Sequence, residues 1–434
     1  MRICVIGTGY VGLVAGACFS EMGNTVICVD NNSEKIKSLR QGVTPIYEPG
    51  LEELIKSNIS QNRLSFTEDI NNAVKNSEVC FITVGTPQDI NGAADLQYVY
   101  KVAEDIGKAI NSYKVIVNKS TVPIGTASKI AEIIRQNTNY DFDIVSNPEF
   151  LKQGAAVEDF LKPDRVIIGS DSPKALEIVK SLYNPFVLNM HPIITMDTKS
   201  AEMVKYASNV FLAVKISFIN EIANICEKTG ADMAKVREGM SADKRIGSHF
   251  LYHGIGFGGS CFPKDIKALI KTAKDYGCDC SIMDAAEKTN TQQRYLFVDK
   301  ILNRYNGDIK DKTFAVWGLT FKPNTNDMRE APSITIINEL LKRGAKINAY
   351  DPMQATAKEI FKDTINYFKS SYAALDNADA LVIITEWSEF RKPDFELIKN
   401  KIKSPVIFDG RSIYDKKNLS KAGFEYYTLG NSNS

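Results

Sequence analysis

The chain has little that would mark it for a metal, a membrane or nucleic acid. Its 434 residues hold only three histidines, and its eight cysteines form no Cys-x-x-Cys pair and no ladder with histidine. Structural zinc and a disulfide framework are therefore not expected, and the cysteines read as small buried hydrophobes of a reduced, cytoplasmic protein. No run of 18 uninterrupted apolar residues occurs, so no membrane span is expected. Neither sign of charge is in excess. The 53 Lys and Arg against 52 Asp and Glu leave +1 and no basic arm, which excludes nucleic-acid binding driven by phosphate neutralisation. The opening apolar residues resemble a secretory leader only superficially, because Gly7, Gly9, Gly12 and Glu21 interrupt them; a buried strand and helix is the expectation.

What is present is a chain about three times the roughly 150 residues of a typical domain. Arg2 to Ile6 is a short apolar run, followed by Gly7-Thr8-Gly9-Tyr10-Val11-Gly12, a small-residue helix, and the run Thr25 to Val29 ending in Asp30. Continuous apolar strands at 79–84, 114–118, 143–146 and 165–169, separated by helical intervals, predict a doubly wound parallel sheet over 1–196. From Ser200 to Lys228 there is no Gly or Pro, and apolar residues recur every three or four positions, which predicts one long helix ended by Gly230. A helical segment over 197–300 is expected around it. Strand texture returns over 301–434, at 314–318, 346–351, 380–385 and 405–409, predicting a second Rossmann-like fold without the second and third fingerprint glycines. The tail from Gly430 to Ser434 is expected to fray.

Two stretches carry chemistry. The glycines at 7, 9 and 12 follow a strand, open a helix, and are followed 18 residues after Gly12 by an acid, Asp30. Gly7 allows the tight turn, Gly9 lets backbone approach a diphosphate, Gly12 lets helix and strand close, and Asp30 suits ribose hydroxyls; Asn31 and Asn32 after it favour NAD over NADP. The second stretch is Gly254-Ile255-Gly256-Phe257-Gly258-Gly259-Ser260-Cys261-Phe262-Pro263-Lys264-Asp265. Such a backbone suits close approach to a ligand, and the charged neighbours make Cys261 the candidate nucleophile among the eight cysteines, with a structural cysteine as the competing reading. A thiolate on an NAD fold suggests oxidation past the aldehyde, through a thiohemiacetal and a thioester. That chemistry needs oxyanion donors. Lys205 and Asn209 share one face of the long helix, although mid-helix Lys and Asn are ordinarily solvated.

The order of GTGYVG at 7–12, VGTP at 84–87, KSTVP at 119–123, NPEFL at 147–151, AEMVKYASN at 201–209, GFGGSCFPKD at 256–265 and GLTFKPNTNDMREAPS at 318–333 resembles the UDP-glucose 6-dehydrogenases. These belong to a wider group of four-electron nucleotide-sugar dehydrogenases that includes GDP-mannose dehydrogenase. The resemblance implies an NAD-dependent enzyme that turns UDP-glucose into UDP-glucuronate for polysaccharide synthesis, with UDP-N-acetylmannosamine, UDP-N-acetylglucosamine or GDP-mannose as the alternative substrates. It implies Cys261 as the thiol, Lys205 and Asn209 as oxyanion donors, Asp265 as the acid near the reacting water, and Glu149 and Thr121 as residues that place that water or move its proton. For the sugar nucleotide it implies Glu149, Phe150, Leu151, Lys152, Lys205, Asn209, Arg245, Phe250, Leu251, Tyr252, His253, Gly254, Gly258, Lys322 and Arg411. For NAD it adds Tyr10, Val11, Lys35, Thr86, Thr121, Lys264 and Arg329 to Gly7, Gly9, Gly12 and Asp30. It also implies a homodimer formed through the central helix.

Overall fold

The structure, a computed structural model, describes residues 1–89, 92–187 and 192–431, so the last three residues of the tail lie outside the described residues. The chain divides into two compact units, one of residues 1–208 and 267–275, the other of residues 209–266 and 276 onward. Two helices carry the chain from one unit into the other: a spine helix, Thr198–Thr229, and a cysteine helix, Phe262–Asp275.

The first unit is built on eight strands: β1 (Arg2–Ile6), β2 (Thr25–Val29), β3 (Leu64–Thr67), β4 (Val79–Ile82), β5 (Lys114–Asn118), β6 (Phe142–Ser146), β7 (Val166–Gly169) and β8 (Ile193–Met196). Their order across the sheet is β3-β2-β1-β4-β5-β6-β7-β8. In β1, Ile3 and Val5 belong to the core on one face and Cys4 and Ile6 to the core on the other, which is why the strand is apolar without alternation. One feature departs from the uniformly parallel sheet read from the sequence: β7 runs antiparallel to β6, with Ser146 opposite Gly169. Residues 147–165 between them hold one short helix, Ala156–Leu161, and the two strands meet only through that one facing pair.

The second unit is built on β9 (Thr313–Trp317), β10 (Lys346–Tyr350), β11 (Asn366–Tyr367), β12 (Ala380–Ile383), β13 (Val406–Asp409) and β14 (Glu425–Thr428). All pair in parallel, in the order β11-β10-β9-β12-β13-β14. Both sheets therefore have the doubly wound arrangement, in which the strand order reverses beside the first strand and leaves a crevice at the carboxyl ends.

The spine helix ends where Gly230 takes φ +78°, a left-handed turn that glycine adopts without strain. By length and composition alone this helix could cross a membrane. Its Tyr206, Val210, Ala213, Ile219 and Ala223 are instead buried in protein, and so are its Glu202, Lys205 and Asn209.

Candidate active site

The fingerprint turn of the first unit has the shape its glycines call for. Gly7 takes φ +103° at the end of β1, and its N–H donates to Val29 O at 2.8 Å. A Cβ on Gly12 would lie 1.8 Å from Gly7 O, so that glycine is demanded by packing. A Cβ on Gly9 would meet no protein atom within 4 Å; it would fill the open space in front of the helix Tyr10–Glu21, where a diphosphate would sit against free N–H groups. Asp30 accepts from Thr8 N (3.0 Å), Thr8 Oγ1 (2.6 Å), Lys35 Nζ (2.8 Å) and Asn32 N (3.1 Å). Burial would push this carboxyl up, but Lys35, Thr8 and Asn32 outweigh it and hold it at about 2. An ionised acid at this place accepts ribose hydroxyls and repels a 2′-phosphate. Thr86 and Thr121 follow β4 and β5 at the carboxyl edge, and Thr86 Oγ1 donates to Thr121 O at 2.8 Å.

The loop after β6 carries Glu149. Its Oε2 accepts from Leu151 N at 2.6 Å and its Oε1 from Lys205 Nζ at 3.1 Å. Lys205 is 4% exposed, so the solvated face ordinary for a mid-helix lysine is not what it has. Burial acts to raise the Glu149 carboxyl, yet the Lys205 charge, the Leu151 N–H and the Lys119 charge hold it below its usual value. Phe150 is stacked under the Arg165 guanidinium, 3.7 Å from the ring centroid. Lys152 is exposed and pairs with Asp159 at 3.0 Å. Glu48, missed in the sequence, holds this loop by accepting from Gly154 N and Ala156 N, both at 2.7 Å, and Tyr10, read as an NAD residue, accepts at Oη from Gly154 N at 2.9 Å. Glu202, also missed, accepts from Gly125 N (2.6 Å) and Ala127 N (2.8 Å) at the start of the helix Thr126–Asn137.

In the second unit Cys261 stands immediately before the cysteine helix, and its carbonyl accepts from Asp265 N at 2.8 Å. The free N–H groups and dipole of a helix N-terminus favour the thiolate over the thiol. Cys261 is partly exposed, with Ser260 Oγ 3.7 Å from Sγ. Asp265 is 1% exposed and takes both Asn209 Nδ2 (2.6 Å) and Lys264 Nζ (2.7 Å), so the Lys264 charge is matched by its neighbour. The Arg329 guanidinium is raised chiefly by its bonds to Asp327, with a smaller contribution from the charge of Cys261, so this arginine feels the sulfur.

The glycines ahead of Cys261 are also demanded by close packing within the protein. A Cβ on Gly254 would lie 2.7 Å from Gly410 O, on Gly256 2.5 Å from Asn290 Oδ1, on Gly258 2.3 Å from Glu330 O and on Gly259 2.8 Å from the Phe321 ring. They let the loop approach its own unit, which fixes Cys261. Arg411 serves the same end: it donates to Ile384 O (2.8 Å) and Gly256 O (3.2 Å). Among the other residues read as substrate contacts, Leu251 is buried in an apolar cluster with Ile219 and Met233, whereas Tyr252 is exposed under Arg237. Phe250 takes φ +64° and its ring packs on Phe262. Burial, and then the Arg237 charge, push His253 down to about 4. Lys322 lies over the Phe321 ring at 5.5 Å, and Arg245 is exposed and paired with Asp243.

An open glycine turn before a helix N-terminus, an ionised acid after the next strand and a doubly wound sheet are the marks of a nicotinamide-dinucleotide dehydrogenase, here with a cysteine before a helix in the second unit. Comparison with known proteins is specific about which. The UDP-glucose/GDP-mannose dehydrogenase family matches in three parts: its NAD binding domain over residues 1–187, its central domain over 199–292 and its UDP binding domain over 315–416. The chain belongs to that family. It is 48% identical to UDP-glucose 6-dehydrogenase TuaD of Bacillus subtilis over 432 residues, 99% of this chain and 93% of that protein. Among solved structures it is similar to a UDP-glucose dehydrogenase from the hyperthermophilic archaeon Pyrobaculum islandicum, with 37% identity, a TM-score of 0.91, and 99% and 97% of the two chains covered. A UDP-D-ManNAc dehydrogenase from Pyrococcus horikoshii follows with 28% identity, a TM-score of 0.88 and full coverage of both chains.

Proposed function

We propose that the protein is an NAD-dependent UDP-glucose 6-dehydrogenase, oxidising the C6 alcohol of UDP-glucose to the carboxylate of UDP-glucuronate with two NAD and one water consumed. NAD, when bound, accepts the hydride in each of the two oxidations. The observation that carries this reading is the burial of Lys205 and Asn209, at 4% and 7% exposure, one helical turn apart and each bonded to a buried carboxylate. Buried donors held ready for a developing negative charge are what an oxyanion requires.

The roles follow. The Cys261 thiolate adds to the C6 aldehyde to give a thiohemiacetal, whose oxyanion Lys205 and Asn209 hold. Loss of hydride from that carbon leaves a thioester. Water then attacks the thioester carbonyl, its proton passing to Asp265 or, with Thr121 as guide, to Glu149, and the Cys261 thiolate leaves. Tyr10, Val11, Asp30, Lys35, Thr86, Thr121, Lys264, Arg329 and the fingerprint glycines serve NAD. The 149–152 loop, Arg245, residues 250–254, Gly258, Lys322 and Arg411 serve the sugar nucleotide. We divide the chain into an NAD domain (1–196), a central helical domain (197–300) and a UDP-sugar domain (301–434). The protein works as a homodimer in the cytoplasm: all eight cysteines are free, and the spine helix leaves Phe211, Phe218 and Ile225 exposed at seven-residue spacing, a self-complementary apolar stripe for a second copy.

NADH formed per molecule of nucleotide sugar tests the reading. Two are expected from UDP-glucose; a single one would exclude the four-electron scheme, and preference for UDP-N-acetylmannosamine, UDP-N-acetylglucosamine or GDP-mannose would move the substrate. Cys261→Ser is expected to lose thioester turnover while still binding NAD and UDP-glucose, and full steady-state activity in that variant would overturn the mechanism.

A further inference from the structure

The roles above leave Lys119, a deeply buried cation of the first unit, unused. Lys119 follows β5 and is 4% exposed. Its ammonium donates to two neutral acceptors, Asn147 Oδ1 and Tyr183 Oη, both at 3.1 Å, and lies over the Phe160 and Tyr183 rings. The acceptors are themselves fixed: Tyr183 Oη donates to Asn147 Oδ1 at 2.6 Å and Asn147 Nδ2 to Ile167 O at 2.8 Å. A buried ammonium with neutral hydrogen-bond partners is costly. Burial pushes Lys119 down to about 8; the Glu149 charge opposes that and the Lys205 charge adds to it. Lys119 and Glu149 line one cleft. The remaining charged groups of that cleft are engaged elsewhere, Lys152 with Asp159 and Arg165 over Phe150, while Asp164 stands beside Arg165 in the chain.

We propose that Lys119 is a positioning residue, the fixed cation that keeps Glu149 ionised while Lys205 shares its ammonium with the substrate oxyanion. The proposal rests on the roles given to Glu149 and Lys205. As the oxyanion forms, it competes with Glu149 for the Lys205 ammonium, and a buried carboxylate deprived of its cation takes up a proton. A protonated Glu149 cannot accept one from the attacking water. Lys119 does not follow Lys205 toward the substrate, because Asn147 and Tyr183 hold its ammonium, so its charge stays in the cleft it shares with the carboxylate.

The test is the pH profile of kcat/KM for UDP-glucose in Lys119→Met, in Glu149→Gln and in the double variant, with thermal melts to confirm folding. Removing a cation raises the Glu149 carboxyl, so the acid limb is expected to move to higher pH and the rate at neutral pH to fall about tenfold or more. In the Glu149→Gln background the same substitution is expected to change the rate less than about twofold, because its target is gone. Equal losses in both backgrounds with an unmoved acid limb would overturn the proposal. If Lys119→Met does not fold, Lys119→Gln, neutral but able to keep both hydrogen bonds, takes its place; failure of both to fold would assign Lys119 to the fold alone and overturn it too. No NADH from any nucleotide sugar with the unchanged protein sinks the functional reading itself, whereas NADH formation with an unmoved acid limb sinks only the role of Lys119.

Discussion

Two strand-to-helix turns of this chain begin alike and end differently. After β1 and after β9 a glycine takes a left-handed conformation, Gly7 at φ +103° and Gly318 at φ +88°, and after the neighbouring β2 and β10 stands an acid, Asp30 or Asp351. In the first turn the helix starts three residues on, at Tyr10, and the backbone at Gly9 opens on space. In the second, residues 318–331 intervene before the helix Pro332–Lys342 begins. The acids differ in the same sense. Asp30 holds Thr8 and Lys35 at a partly exposed edge. Asp351 is buried, and one of its oxygens takes Leu319 N (2.7 Å) together with Thr320 N, Thr320 Oγ1 and Trp387 Nε1 (each 3.1 Å). The same fold thus leaves an open turn before a helix N-terminus where the helix follows at once. Where a long segment intervenes, it builds a braced loop that carries Lys322 and Arg329.

If that contrast is right, the two acids answer differently to removal. Asp351→Ala strands two buried backbone N–H groups and an indole N–H, at about 1–3 kcal/mol each. The expected result is the largest loss of stability of the substitutions considered, more than about 3 kcal/mol, seen as a fall in Tm, with NAD affinity of the folded protein unchanged. A variant that melts like the unchanged protein would show that Asp351 does not brace the loop.

Asp30→Ala is expected to do the reverse. Loss of hydrogen bonds to a charged acceptor, about 1.5–3 kcal/mol, weakens NAD binding roughly ten- to a hundredfold, measured by calorimetry, with a smaller change in Tm. The stability it does contribute has a sign fixed by its depressed pKa. That contribution is present above the ordinary carboxylate value and disappears as pH falls toward about 2, so melts of the variant are expected to vary less with acid than those of the unchanged protein. An unaltered NAD affinity would break the contrast from the other side.

Much of this was legible beforehand because it is local. Strands apolar on both faces, a helix with no Gly or Pro from 200 to 228, and glycines spaced around a strand end are written in neighbouring residues, and the helix was found at Thr198–Thr229. What escaped depends on contacts far apart in the chain. Whether Lys205 is solvated or buried is decided by Glu149, 56 residues away, and the reversal of β7 shows only in its facing pair with β6. The packing partners of the glycines before Cys261 escaped for the same reason: Asn290, Phe321, Glu330 and Gly410 lie well along the sequence. Glu48, Lys119 and Glu202 have no spacing that announces them, since a buried charge is recognisable only by what surrounds it.

The smallest expected effect separates the two turns by sign. Gly9 has φ −74° and ψ −167°, an extended conformation open to alanine, and its Cβ would touch nothing in the protein. Gly9→Ala therefore narrows the unfolded ensemble without straining the fold, and is expected to stabilise by about 0.4–1 kcal/mol. The added methyl stands where the diphosphate would approach, so NAD affinity falls while Tm rises. Gly318→Ala meets the opposite conditions: φ is +88° and the new Cβ would lie 2.5 Å from Thr385 Cβ and 2.6 Å from its backbone N, so Tm falls. Paired melts and NAD titrations of the two variants decide the matter. A Gly9→Ala protein that melts higher and still binds NAD as before would mean that the open space after β1 is not where the cofactor is held.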